Sequence, residues 1–126
     1  MTTRIIRPLH ALAAVALAML ALAPLASAHA VAHASAASTT IRVSEKEYKI
    51  TLSKRSLAKP GTVTFHVKNV GKMEHNFRIN GKQSRTIGPG KTTRLVVAFK
   101  KKGNYHYLCT VPGHAALGMK GVFAVR

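Results

Sequence analysis

The segment Cys109-Thr-Val-Pro-Gly-His114-Ala-Ala-Leu-Gly-Met119 sets one thiol, one imidazole and one thioether within eleven residues. A Pro-Gly turn between the Cys and the His folds the segment back, so that all three side chains can point at a common centre. A fourth donor has to come from elsewhere, and His75 is the best placed. It opens a short alternating run, follows a turn containing Gly71, and shares strand parity with Phe77 and Ile79 on the core-facing side. Two imidazoles, a thiolate and a weak thioether suit copper moving between its two oxidation states. Soft sulfur stabilises Cu(I), imidazole accepts either state, and a trigonal His2Cys plane with a long axial Met changes little in shape on electron transfer. Zinc suits the set less well, because structural zinc sites favour closed Cys/His sets and catalytic ones a carboxylate or a third His.

The single cysteine points the same way once the chain's destination is considered. Arg4 and Arg7 precede a 15-residue stretch, Leu9 to Ala23, that is apolar except for His10, and Ala26-Ser27-Ala28 offers a small-x-small cleavage pattern. The stretch falls short of the roughly 20 residues needed to span a bilayer, so residues 1–28 read as a secretory signal peptide and the protein as exported to the periplasm, cell envelope or outside. An exported small domain normally has paired cysteines or none. A metal-bound thiolate explains the odd one, because ligation shields it from oxidation and exchange. Alone, Cys109 would read as a buried apolar residue and Met119 as core filler; their joint placement with His114 changes that.

The elements that must position these donors are strands. Residues 29–39 are Ala, Ser, Thr and His without a periodic apolar face and read as a flexible lead-in. From residue 40 to 126 short strand runs follow one another: Thr40 to Val43, Glu47 to Leu52, Thr62 to Lys68 and His75 to Ile79 alternate, Thr92 to Phe99 is a longer run rich in β-branched residues, Asn104 to Cys109 sets Tyr105, Tyr107 and Cys109 on one face, and Gly121 to Val125 closes the chain. Turn signals such as Pro60-Gly61, Asn80-Gly81 and Gly88-Pro89-Gly90 separate them. Seven or eight strands without a helical segment predict an all-β domain, an antiparallel β-sandwich. His66 and His106 fall on the solvent parity, Tyr105 and Tyr107 on the core parity, and Lys100-Lys101-Lys102 forms a solvated turn that could help a partner dock.

The segment Tyr107-Leu-Cys-Thr-Val-Pro-Gly-His-Ala-Ala-Leu-Gly-Met-Lys-Gly121, with Met73-Glu-His-Asn-Phe77 upstream, resembles the small blue copper proteins, or cupredoxins. The four-residue gaps on either side of His114 are most similar to auracyanin and the azurin side of that group. The resemblance covers residues 40–126 and implies a Greek-key sandwich holding one type 1 copper ion near one end. It implies His75, Cys109 and His114 as equatorial ligands, Met119 as axial ligand, and Asn76 as the residue tying the two ligand loops together. Glu74 stands where azurins have a Gly, which leaves an additional axial carbonyl open. The resemblance also places the edge of His114 at the surface, as an electron port among Val111, Pro112, Ala115 and Leu117.

Charge bounds the partners. The chain has 20 Lys and Arg against three acids, a net charge of +17. Without residues 1–28 it loses Arg4 and Arg7, leaving +15 with Glu45, Glu47 and Glu74 as its acids and no Asp. Such a charge would usually suggest nucleic acid, but export removes it and leaves acidic protein faces, anionic membranes and cell-wall polymers. The expected function is a monomeric one-electron carrier whose lysines steer a redox protein with an acidic docking face. A copper-delivery or copper-buffering protein is the alternative, and an enzyme is not indicated, since no acid-base dyad or activated nucleophile is present. Cleavage after Ala30 in place of Ala28 would expose Val31-Ala32-His33, an amino-terminal pattern able to hold Cu(II) in a square plane.

Overall fold

The computed structural model describes residues 38–126, so the segment read as a signal peptide, most of the expected lead-in and the Val31-Ala32-His33 pattern lie outside the described residues. Nine strands follow in chain order: β1 (Thr39–Lys46), β2 (Lys49–Leu52), β3 (Ser56–Leu57), β4 (Gly61–Asn69), β5 (Arg78–Ile79), β6 (Lys82–Gln83), β7 (Thr92–Phe99), β8 (Gly103–Leu108) and β9 (Lys120–Val125). They form two sheets, one ordered β2-β1-β4-β7 and the other β3-β9-β8-β5-β6. The domain is the all-β sandwich that the alternation implies. Its sheets are mixed, however, because β1 pairs with β4 and β3 with β9 in parallel. Period-2 alternation is the same for either direction, so the pattern alone leaves direction unspecified.

Alternation sorts the strands cleanly. In β4, Val63, Phe65 and Val67 are fully buried while His66 and Lys68 are exposed; in β7, Leu95, Val97 and Phe99 face inward. Phe65 is the centre of the core, with ring centroids 5.1 Å from Phe77, 5.9 Å from Phe123 and 6.3 Å from Phe99. Burying each such ring stabilises the fold by about 1.5–3 kcal/mol. On the outer face of the first sheet, Arg42, His66 and Arg94 are direct cross-strand neighbours.

Two strand boundaries differ from the sequence reading. The run from Glu47 to Leu52 is not one strand: Glu47 and Tyr48 form the turn between β1 and β2, and only Lys49 onward pairs. Likewise His75 to Ile79 is a strand only at Arg78–Ile79, with His75 held in an isolated bridge to Ile87. At the β5–β6 hairpin, Asn80 and Gly81 take φ of 48° and 71°, the left-handed pair that a two-residue hairpin turn requires.

Candidate metal centre

Both parts of the centre lie at one end of the sandwich. Strand β8 ends at Leu108, and the segment that follows loops back into β9, with the Cys109 N–H donating to the Met119 carbonyl at 3.0 Å to close its base. Inside that loop the His114 N–H donates to the Val111 carbonyl and the Met119 N–H to the His114 carbonyl, each at 3.1 Å. These local bonds turn Cys109, His114 and Met119 inward, where they are 0%, 3% and 0% exposed.

His75 arrives from the segment between β4 and β5, just before β5 pairs with β8. It exchanges backbone hydrogen bonds with Ile87, and Asn69 braces the approach: its Nδ2 donates to the Met73 carbonyl at 2.7 Å and the Ile87 carbonyl at 2.9 Å, while its Oδ1 accepts from the Gly71 N–H. Asn76 joins the two parts. Its Oδ1 accepts from the Thr110 N–H at 2.8 Å and the Thr110 hydroxyl at 3.0 Å, and its Nδ2 donates to the Thr86 hydroxyl.

Three donor atoms converge as a result. His75 Nδ1 lies 3.2 Å from His114 Nδ1, Cys109 Sγ lies 3.7 Å from His114 Nδ1, and the three residues can offer ligand atoms within 4.8 Å of one another. Burial pushes the Cys109 thiol up from its ordinary value, opposed by the backbone amides of Asn76 and Val111 and reinforced by the charge of Glu45. Burial holds the His114 imidazole below its ordinary value, and the neighbouring His75 adds to that. The His114 ring therefore favours the neutral, metal-accepting form over imidazolium in this pocket. The donor set of two imidazoles and a thiol, beside a fully buried thioether-bearing residue, fits copper.

One feature expected of the surface is corrected. His114 presents no open edge, because the Tyr48 ring, carried by the β1–β2 turn, lies edge-on against it with centroids 5.3 Å apart. Lys100, Lys101 and Lys102 are exposed in the turn at the start of β8, a strand length of about 20 Å from Cys109 at its end. Val111 and Ala115 are half-buried, while Pro112 and Leu117 are exposed. His66 and His106 are solvent-exposed, as their parity implies.

The sequence reading missed three contributors: Asn69, Tyr48 and Glu47. Glu47 Oε1 accepts from the Met73 N–H at 2.5 Å and the Lys72 N–H at 2.7 Å, and it lies 3.1 Å from His75 Nε2. The Met73 amide first, with other amides and the His75 ring, holds its carboxyl down to about 2. The available signal was scarcity: an acid in so basic a chain invites a specific explanation.

Comparison with known proteins agrees with this architecture. The copper-resistant cuproprotein CopI of Vibrio cholerae is 30% identical over 95 residues, a match covering 58% of this chain and 56% of that protein, so the chain spans little more than half of its relative's length. Reduced auracyanin from Roseiflexus castenholzii superposes with a TM-score of 0.63 at 24% identity, covering 71% of this chain and 98% of that one. Auracyanin A, a blue copper protein from Chloroflexus aurantiacus, superposes with a TM-score of 0.58 at 23% identity, covering 70% and 98%. At those identities the two structures establish a shared fold. Residues 12–125 match the family model of the cupredoxin-like domain, and the chain belongs to that family.

Proposed function

We propose that the protein is an exported type 1 copper carrier that passes single electrons between redox partners. The observation that carries this reading is the convergence of His75 Nδ1, His114 Nδ1 and Cys109 Sγ beneath the surface of a cupredoxin-like domain. When bound, copper supplies a one-electron couple between Cu(II) and Cu(I). His75, Cys109 and His114 would hold it, Met119 would supply the fourth, weak thioether donor, and Asn76 keeps the two ligand segments in register. Burial of all four donors excludes water and resists rearrangement between the two charge states. Four protein donors leave no open position for a substrate, which favours carriage over catalysis.

Partners meet the centre over Tyr48. Its ring is 37% exposed and touches His114, and Met73 and Leu117 add apolar surface at 43% and 60% exposure. Contact of this kind supports a brief complex, with the exposed Lys72 and Lys120 steering an acidic protein face. The Arg42-His66-Arg94 row, distant in character from this patch, suits an anionic membrane or cell-wall surface. Reduction by an acidic partner is expected to slow as ionic strength rises from about 0.01 to 0.15 M, a range over which the screening length shrinks from about 30 to 8 Å. Rates that stay constant would remove the steering claim.

A second reading, copper delivery or buffering, is favoured by the name of the CopI relative. Slow electron self-exchange together with ready release of Cu(I) to an acceptor would select it.

The deciding experiment adds Cu(II) to the purified protein and records visible and electron-spin-resonance spectra. An intense thiolate-to-copper band is expected, lost completely in Cys109→Ala. A colourless protein with only tetragonal copper signals would overturn the assignment.

A further inference from the structure

The turn between β1 and β2 governs both imidazoles of the centre with consecutive residues. Tyr48 covers His114, and Glu47 reaches His75. The Glu47 side chain is 20% exposed, and its Oε1 gathers three donors: the Lys72 and Met73 amides and the His75 ring. An ionised carboxylate can only accept hydrogen bonds, so the His75 nitrogen facing it, Nε2, must be the one that carries hydrogen. In the neutral ring Nδ1 is then bare, and Nδ1 is the atom turned towards His114 Nδ1 at 3.2 Å. The other acids do not serve the ring: Glu74 is exposed, and Glu45 is buried with neither oxygen hydrogen-bonded.

Nearby glycine confirms that the carboxylate has a built seat. A Cβ on Gly71 would lie 2.5 Å from both Glu47 carboxylate oxygens, so the absence of a side chain at 71 is what lets Glu47 settle against the backbone of residues 71–73. The seat is made from two chain segments some 25 residues apart, and it points the carboxylate at one ring nitrogen.

We infer that Glu47 is a positioning residue of the metal centre: it holds His75 as the Nε2–H tautomer, with Nδ1 free to ligate, and its negative charge favours the more highly charged state of the metal. This rests on the copper reading above. Outer hydrogen-bond partners of ligating histidines fix the tautomer and ring orientation and raise ligand basicity, and their loss typically weakens metal binding 10–100-fold. Here the partner carries a full charge, so its removal should affect the oxidised state more than the reduced one.

The test compares wild type with Glu47→Gln, Glu47→Asp and Glu47→Ala. Glu47→Gln keeps an oxygen for the Lys72 and Met73 amides and removes the charge; it is expected to shift the oxidised-to-reduced ratio about tenfold towards reduced, a rise of about 59 mV in potential. Glu47→Asp is expected to recover part of that shift. In the metal-free protein, nitrogen NMR of the His75 ring is expected to show the Nε2–H tautomer in wild type and a mixture in Glu47→Ala. An unchanged potential in Glu47→Gln, in a protein that still shows the thiolate band, would overturn the charge role. An unchanged His75 tautomer in Glu47→Ala would overturn the positioning role. If wild type itself lacks the thiolate band, the copper reading fails, and the tautomer measurement still decides the positioning role independently. Should Glu47→Ala not fold, Glu47→Gln and Glu47→Asp retain the amide acceptor and carry the comparison.

Discussion

The two segments that build the centre are held in opposite ways. The loop from Cys109 to Met119 supplies three candidate ligands and shapes itself, through backbone bonds between residues at most ten apart. The segment from Val70 to Ile87 supplies one ligand, His75, and depends on side chains outside it: Glu47 from the first hairpin, Asn69 from the end of β4, and Thr110 through Asn76. One part is specified by its own sequence, the other by the fold around it. The ligand-rich loop should therefore tolerate loss of remote contacts, whereas the His75 side should fail through residues that never touch a metal.

Asn69→Ala is the strongest way to break that asymmetry. Asn69 is fully buried and satisfies two carbonyls and one amide, and its removal strands all three. At about 1–3 kcal/mol for each unsatisfied buried group, partly relieved by water, a destabilisation of about 4 kcal/mol is expected in urea unfolding. The same variant should broaden NMR signals around His75 and leave those of residues 109–119 sharp. Equal broadening in both segments would show that they are held as one unit.

Glu45 links the two parts and gives a pH signature. It pairs in register with Asn69, lies fully buried without a hydrogen-bond partner, and adds to the rise of the Cys109 thiol. Desolvation raises its carboxyl to about 7 from an ordinary 4.5. Below pH 4.5 the group is protonated in both folded and unfolded chains and costs nothing by this route. As pH rises the unfolded carboxylate ionises first, so stability falls from about pH 4.5 to 7, by about 3 kcal/mol, and then levels off. His114 has the opposite sign, since its lowered value makes folding more favourable as pH rises through the ordinary histidine range. The Glu45 contribution is accordingly read from the metal-free protein as wild type minus Glu45→Gln. A difference that does not change between pH 4.5 and 7.5 would show that Glu45 is hydrated in solution.

The same asymmetry explains what was legible in the chain. Cys109, His114 and Met119 could be grouped because their spacing is short and their turn is written in Pro112 and Gly113. The inward side of β4 was equally plain, since Val63, Phe65 and Val67 alternate with Thr64, His66 and Lys68; in β7 the run from Leu95 to Phe99 is apolar throughout, and pairing with β4 is what turns Leu95, Val97 and Phe99 inward and leaves Val96 exposed. Glu47 and Tyr48 were read as strand because hydrophobic parity passes smoothly through them into Ile50 and Leu52. Their turn is required by contacts with residues 71–73 and 114, which no local pattern encodes. The burial of His114 was hidden for that reason, since its cover comes from Tyr48, on the far side of the sequence. The two-residue strands β3 and β6 are too short to produce a period, and their pairing with β9 and β5 is a consequence of the assembled sandwich.

Gly71→Ala sharpens the comparison with the least damage. The added methyl would meet the end of the Glu47 side chain, a flexible group that can swing away, and the backbone at 71 needs no left-handed angle. Stability should therefore change by less than about 1 kcal/mol, within the range of ordinary surface substitutions. The carboxylate, however, can no longer rest against the Lys72 and Met73 amides and reach His75 Nε2 together. The potential is expected to rise in the same direction as in Glu47→Gln, and the double variant Gly71→Ala with Glu47→Gln should add little to either change alone, because both act on one contact. Full additivity in the potential would mean that Gly71 and Glu47 influence the centre by separate routes, and the His75 side would then depend on more than the single carboxylate seat.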